Sequence, residues 1–293
     1  MDRVVTKAYA KINLGLDVLR RRPDGYHDVK MVMQTVDLYD VLLVSKKQDD
    51  TITISTQRED LPVNEDNLIY KAIKLMKDTY GFPCGVHVEL VKNIPIAAGM
   101  AGGSTDAAAA MRAVNKLFEI NRPLKELERL AVQIGADVPY CIQGGTVLSE
   151  GIGELLTNLP DAPRCILLIA KPDICVSTKY VYENLNLPEL KKHPDIDAMV
   201  GAIKRGDMQG MLEPMDNVLA SVTEEKYEII KEIKQSMEKN GAIKAMMSGS
   251  GPTVFGIFET MVQAATAFDV IKEKGMAPEI FISGFVNPQE EYK

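Results

Sequence analysis

Ile94-Pro-Ile-Ala-Ala-Gly-Met-Ala-Gly-Gly-Ser-Thr-Asp106 joins an alternating apolar run, Val86, Val88 and Leu90, to a stripe formed by Ala107, Ala110, Met111, Val114, Leu117 and Phe118. The first spacing is that of a strand and the second that of a helix, so the small residues between them form a strand-to-helix turn. Glycines at 99, 102 and 103 let backbone N–H groups approach an anion closely. A helix starting near Ser104 adds unpaired amides and the positive end of its dipole, and Ser, Thr or Asp can cap its first turn. No Gly-Lys-Ser/Thr closes the loop and the GxGxxG spacing is absent, so it is neither a Walker A loop nor a dinucleotide fingerprint. On glycine content alone, a plain turn capped by Ser104 explains the segment equally well. The hydroxyls of Ser104 and Thr105 favour a phosphate site, because either suits the shell of a Mg²⁺ ion that otherwise keeps waters and phosphate oxygens. Asp106 is expected to be a helix-start carboxylate.

Strands and helices extend outward from this turn. Ile12, Leu14, Leu16 and Val18 alternate and are predicted to share one strand face. Leu68, Ile69, Ala72, Ile73 and Met76 have helical spacing, with Gly81 where a C-terminal cap belongs, and a further helix is predicted from Leu124 to Ile134. Beyond Pro163 the apolar run Cys165 to Ala170 opens a second lobe. Its helices are marked by Tyr227, Ile230, Ile233 and Met237 and by Val262, Ala265, Phe268 and Ile271, and strands are predicted at Ile243–Met247, Thr253–Phe258 and Glu279–Val286. The pattern is α+β, divided into residues 1–158 and 159–293.

The 293 residues, 46% of them apolar, are enough for one large core or two moderate ones. A net charge of −7 argues against broad attraction to nucleic acid or an anionic membrane, so any phosphate must be held locally. The four cysteines form no CxxC pair, and His27, His87 and His193 show no metal-ligand spacing, which makes a zinc site unexpected. Free thiols, no leader-like apolar segment near Met1 and no run of membrane-spanning length point to a cytoplasmic protein.

Three more segments carry polar groups of interest. Lys11 and Asn13 share one side of the strand in Ala8-Tyr-Ala-Lys-Ile-Asn-Leu-Gly-Leu16, where a lone lysine is ordinarily a solvated surface residue. Asp137, in Ile134-Gly-Ala-Asp-Val-Pro139, follows a helix among apolar neighbours and is suited to pin a turn through local amides. Met247-Ser-Gly-Ser-Gly-Pro-Thr253 alone reads as a hairpin turn.

In this order the Lys11-Ile-Asn13 opening, the Pro95–Thr105 loop, Gly135-Ala-Asp-Val-Pro139 and Ser248-Gly-Ser-Gly251 resemble the GHMP kinase superfamily over nearly the whole chain. The segment Arg22-Pro-Asp-Gly-Tyr-His-Asp28 resembles that of the branch acting on a cytidine-diphosphate-linked sugar alcohol, and not those acting on mevalonate, homoserine or a sugar. The resemblance implies a ribosomal-protein-S5-like N-terminal lobe and a ferredoxin-like C-terminal lobe, with ATP, Mg²⁺ and substrate meeting between them. It implies that Pro95, Ile96, Ala97, Ala98, Gly99, Met100, Ala101, Gly102, Gly103, Ser104 and Thr105 bind ATP, and that Tyr26 and His27 hold cytosine with Tyr182 closing the other face. Asn13, Ser177 and Thr178 are the remaining substrate residues by this likeness. Ala97, Ala98 and Ala101 replace glycines of some relatives, so any of them that requires a positive φ is strained.

Phosphoryl transfer needs alignment of nucleophile and leaving group and stabilisation of spread negative charge. Asp137 is expected to orient the acceptor hydroxyl and take its proton, while Lys11 lies between them and offsets charge on the transferring group. The alternatives are another kinase of the superfamily, acting on mevalonate, homoserine or a sugar, and a non-catalytic nucleotide-binding regulator on the same fold, which would have no need to keep both Lys11 and Asp137.

Overall fold

Two long antiparallel strands, β1 (Arg3–Arg21) and β2 (His27–Lys46), organise the first half of the chain in the computed structural model, which describes residues 1–292. The later part of β2 pairs with β4 (Val86–Val91) and the earlier part with β5 (Thr146–Gly151). Outside them lie β3 (Ile52–Thr56), parallel to β4, and β6 (Leu155–Asn158), antiparallel to β5. A second, antiparallel sheet has the order β10 (Glu279–Gly284), β7 (Ile166–Lys171), β9 (Val254–Phe258), β8 (Lys244–Met247). After β10 the chain returns to the first sheet, where Phe285 bridges to Val36 and the Val286 N–H donates to the Thr35 carbonyl at 3.1 Å.

Four helices belong to the first sheet: α1 (Leu68–Tyr80), α2 (Gly102–Leu117), α3 (Leu124–Ala131) and α4 (Val138–Gln143). Asn67 caps α1 by accepting from the Ile69 N–H, and Gly81 ends it in the left-handed region. Next come α5 (Thr178–Asn184), α6 (Ile196–Arg205), α7 (Met208–Leu212), α8 (Ala220–Lys226), α9 (Glu228–Lys239) and α10 (Met261–Glu273), with a short α11 (Gln289–Tyr292) against α4. Among the described residues no helix is long and apolar enough to cross a membrane.

Strand alternation assigns the core. In the second sheet Leu168, Ala170, Met247 and Val254 face Ile230, Ile233 and Met237 of α9 and Ala264, Ala267 and Ile271 of α10. The intervening Leu167, Ile169, Met246, Phe255 and Ile257 join Ala10, Ile12, Leu14, Val32 and Val36 of the first sheet. Each large side chain removed from water there contributes about 1.5–3 kcal/mol, so this layer binds the two halves firmly.

Two expectations are corrected. Ile12, Leu14, Leu16 and Val18 do not share one face: Ile12 and Leu14 belong to the layer between the sheets, Leu16 and Val18 to the helix-covered core. Between Asn13 and Gly15 the register of β1 on β2 shifts by one residue, the extra one lying in β1, and that insertion reverses which face β1 presents. In α10 the buried face is Ala264, Ala267 and Ile271, while Val262 is exposed. A stripe traced through the larger side chains misses a helix that docks through alanines.

Candidate active site

Two register shifts in the β1–β2 pairing bracket Lys11, Ile12 and Asn13, and Lys11 and Asn13 face away from the layer between the sheets. Lys11 is only 4% exposed, so the expectation for a lone surface lysine fails. Its Nζ donates to Asn13 Oδ1 at 2.9 Å, and its backbone N–H donates to the Met100 carbonyl at 3.2 Å, tying the strand to the glycine-rich loop. Asn13 thus orients the ammonium group.

Asp137 occupies the N-cap position of α4 but makes no capping hydrogen bond, so pinning a turn is not its role. Its half-buried carboxylate instead stands with Oδ2 3.8 Å from Lys11 Nζ. Chain segments remote in sequence thereby bring an amine and a carboxylate together at the edge of a cavity.

The loop forms the facing wall. Gly99 adopts φ 72°, and Ala97 and Ala101 lie in the left-handed region at φ 52° and 58°. Helix α2 starts at Gly102, before the expected Ser104, and has no side-chain cap, so its first amides stay available to an anion. Ser104 lines the cavity. Thr105 does not: it is buried, and its hydroxyl donates to the Tyr9 carbonyl at 2.7 Å. The Met100 side chain is fully buried in the layer between the sheets, so only its backbone belongs to the loop wall.

The cleft has a volume of ≈ 880 Å³ and gathers Lys11, Asn13, Tyr26, His27, Ala97, Ala98, Gly99, Ala101, Gly102, Gly103, Ser104, Asp137, Thr178 and Tyr182. His27 and Tyr182 have ring centroids 5.1 Å apart, whereas Tyr26 is 60% exposed at the rim. Burial, aided by Arg21, lowers the His27 pKa below its ordinary 6.5, so the neutral imidazole with one donor and one acceptor prevails at neutral pH. Ser177 stays outside the cleft lining and caps α5 by accepting from the Tyr180 N–H at 3.3 Å. Thr178, one residue on, shares a hydrogen bond of 2.8 Å with Ser250.

Gly249 and Ser250 also line the cleft. Their turn, read alone as a hairpin, closes on the glycine-rich loop, because Ser248 Oγ donates to the Gly99 carbonyl at 3.1 Å. Arg21, Met31 and Lys179 join the lining too. Nothing in their spacing marks them as site residues.

A side pocket of ≈ 190 Å³ adjoins the cleft through Leu68, Ala97, Gly102 and Gly103, and it holds Pro95 and Ile96 with Leu61, Pro62 and Asn67. In its lining Lys92 Nζ contacts Asp40 Oδ2 at 2.5 Å and Asp106 Oδ2 at 2.6 Å, all three side chains being buried. Asp40 Oδ1 also accepts the N–H groups of Asn93 and Ile94. Asp106 is therefore a buried ion partner beyond the first turn of α2 and not only a helix-start carboxylate. Burial pushes its pKa well above 3.8 against the pull of Lys92, while the two carboxylates outweigh burial at Lys92 and raise the ammonium's pKa.

A glycine-rich anion loop at a helix start, faced by a lysine–aspartate pair across a two-sheet cleft, defines a small-molecule kinase. Residues 67–145 match the GHMP kinase N-terminal domain and residues 199–276 the GHMP kinase C-terminal domain, and the chain belongs to that family. Within it the chain belongs with the 4-diphosphocytidyl-2-C-methyl-D-erythritol kinases. One from Lachnospira eligens is 53% identical over 98% of this chain and 100% of its own length. Another, from Lachnoclostridium phytofermentans, is 51% identical over 97% of this chain and 98% of its length. A crystal structure of 4-(cytidine 5'-diphospho)-2C-methyl-D-erythritol kinase superposes with a TM-score of 0.82 at 30% identity, covering 96% of this chain and 99% of that one.

Proposed function

We propose that the cleft transfers the γ-phosphoryl group of ATP to the 2-hydroxyl of 4-diphosphocytidyl-2-C-methyl-D-erythritol, in non-mevalonate isoprenoid precursor synthesis. The observation that carries this reading is that the Lys11–Asp137 pair, the anion loop and the His27–Tyr182 pair line one cavity. The triphosphate lies along residues 97–104 with its adenine in the side pocket. Tyr26, His27 and Tyr182 hold the cytosine, whose donor and acceptor edge matches a neutral imidazole.

Asp137 accepts the proton of the acceptor hydroxyl as its oxygen bonds to the γ-phosphorus and the bridge to the β-phosphate breaks, releasing ADP. Lys11, fixed by Asn13, offsets charge on the moving phosphoryl oxygens. A Mg²⁺ ion fits at Ser104 beside the phosphate oxygens, since Thr105 is buried outside the cleft lining, and among the described residues no group of three His, Cys, Asp or Glu side chains is placed to hold the ion. When bound, it neutralises phosphate charge. The four cysteines all stand free, as a reducing compartment keeps them, which supports a cytoplasmic setting.

The test is ADP release on the cytidine-linked methylerythritol, on the same alcohol without the cytidine moiety, and on mevalonate and homoserine, with the phosphorylated position read by phosphorus NMR. Turnover confined to the cytidine-linked alcohol supports the assignment. Equal turnover without the cytidine moiety contradicts it.

A further inference from the structure

The groups that meet in the cleft come from three elements: Lys11 from β1, the loop amides from the start of α2, and Asp137 from the start of α4. One buried side chain outside the cleft touches all three. Arg112 projects from α2, and its Nη1 donates to the carbonyls of Cys141 at 2.7 Å and Ile142 at 3.3 Å in α4. Its Nη2 donates to the Lys7 carbonyl of β1 at 3.3 Å. The guanidinium plane is covered by the ring of Tyr292, 3.6 Å from Cζ to the ring centroid, and the neighbouring Glu291 is held by the Tyr9 hydroxyl.

We propose that Arg112 is a positioning residue for phosphoryl transfer, a rigid fork that fixes the separation of Lys11, Asp137 and the phosphate loop, and that Tyr292 locks it in place. This rests on the roles given to Lys11 and Asp137 above. Cys141 lies one helical turn beyond Asp137 and Lys7 one strand segment before Lys11, so a shift of α4 relative to β1 changes the amine–carboxylate separation directly. α4 is only six residues long and lacks a side-chain cap, so its own hydrogen bonds define its placement poorly. A planar guanidinium spans two elements at once with fixed donor directions, which a flexible ammonium does not reproduce.

The experiment measures kcat and both KM values for Arg112→Met and Arg112→Lys, each alone and combined with Asp137→Asn. Both substitutions are expected to lower kcat about 10- to 100-fold, the scale of a slight misplacement of reacting groups, with the KM for ATP little changed. In the Asp137→Asn background the further loss is expected to be less than about twofold, because the two changes remove one shared contribution. Full turnover in Arg112→Lys, or an equal loss in both backgrounds, overturns the proposal. If the Arg112 variants fail to fold, Tyr292→Ala carries the same test, since it keeps the guanidinium and removes only its cover. Unchanged turnover in Asp137→Asn alone would instead discard the proton-accepting role assigned to Asp137.

Discussion

Ser248 Oγ donates to the carbonyl of Gly99 at 3.1 Å, and a Cβ built on Gly99 would stand 2.3 Å from the Ser248 carbonyl oxygen. Two glycine-rich turns, one from each sheet, therefore form a single wall of the cleft, and the contact leaves no room for a side chain at position 99. Gly99→Ala is expected to raise the KM for ATP about tenfold or more and to lower stability by about 1–3 kcal/mol, since φ 72° is strained for alanine. Steady-state kinetics with urea unfolding checks both, and an unchanged KM would remove this loop from phosphate binding.

Ala97 and Ala101 already occupy the left-handed region. Glycine relieves a strain of about 1–2 kcal/mol at such a position, and its greater freedom in the unfolded chain returns about 0.4–1 kcal/mol. Ala97→Gly and Ala101→Gly are each expected to stabilise the protein modestly in urea unfolding. A loss of stability in either would contradict the strain.

Lys92 holds two buried carboxylates together. Lys92→Met leaves Asp40 and Asp106 buried without their cation, and the expected loss is about 3–5 kcal/mol. The sign of its pH dependence is fixed. Burial raises the folded-state pKa of Asp106 above the ordinary 3.8, so the folded form binds more protons there and stability falls as pH rises through the interval between the two values. Without Lys92 that interval widens. Acidification toward the folded-state pKa is therefore expected to restore part of the loss, and urea midpoints measured across pH check this.

Recognition of the pyrimidine is separable from recognition of ATP. Tyr26→Ala is expected to raise the KM for the cytidine substrate far more than the KM for ATP. Because burial depresses the His27 pKa below 6.5, the neutral ring persists until the pH falls through that lower value. The KM for the cytidine substrate should then rise while the KM for ATP stays level. Parallel changes in both would contradict the cytosine assignment.

Much of this site was legible from residue type and order. The strand-to-helix loop, Lys11 with Asn13, Asp137, and the Tyr26-His27 pair were all readable, and they share the cleft. What escaped depends on partners distant in the chain. The register shifts that bracket Lys11 exist only in the pairing of β1 with β2. A hydroxyl type does not reveal its direction, so Thr105 resembled a metal ligand although it serves the Tyr9 carbonyl, and Ser177 resembled a substrate contact although it caps α5. The Asp40–Lys92–Asp106 cluster joins three segments, and only folding gives those charges each other as partners.

The most direct test of the Lys11–Asp137 pair as the chemical centre is single-turnover phosphoryl transfer by Asp137→Asn with ATP affinity measured in parallel. Removing a positioned base is expected to slow transfer by about 100-fold or more while ATP binds nearly as before. Transfer at the unaltered rate would mean that the carboxylate 3.8 Å from Lys11 takes no part in the chemistry.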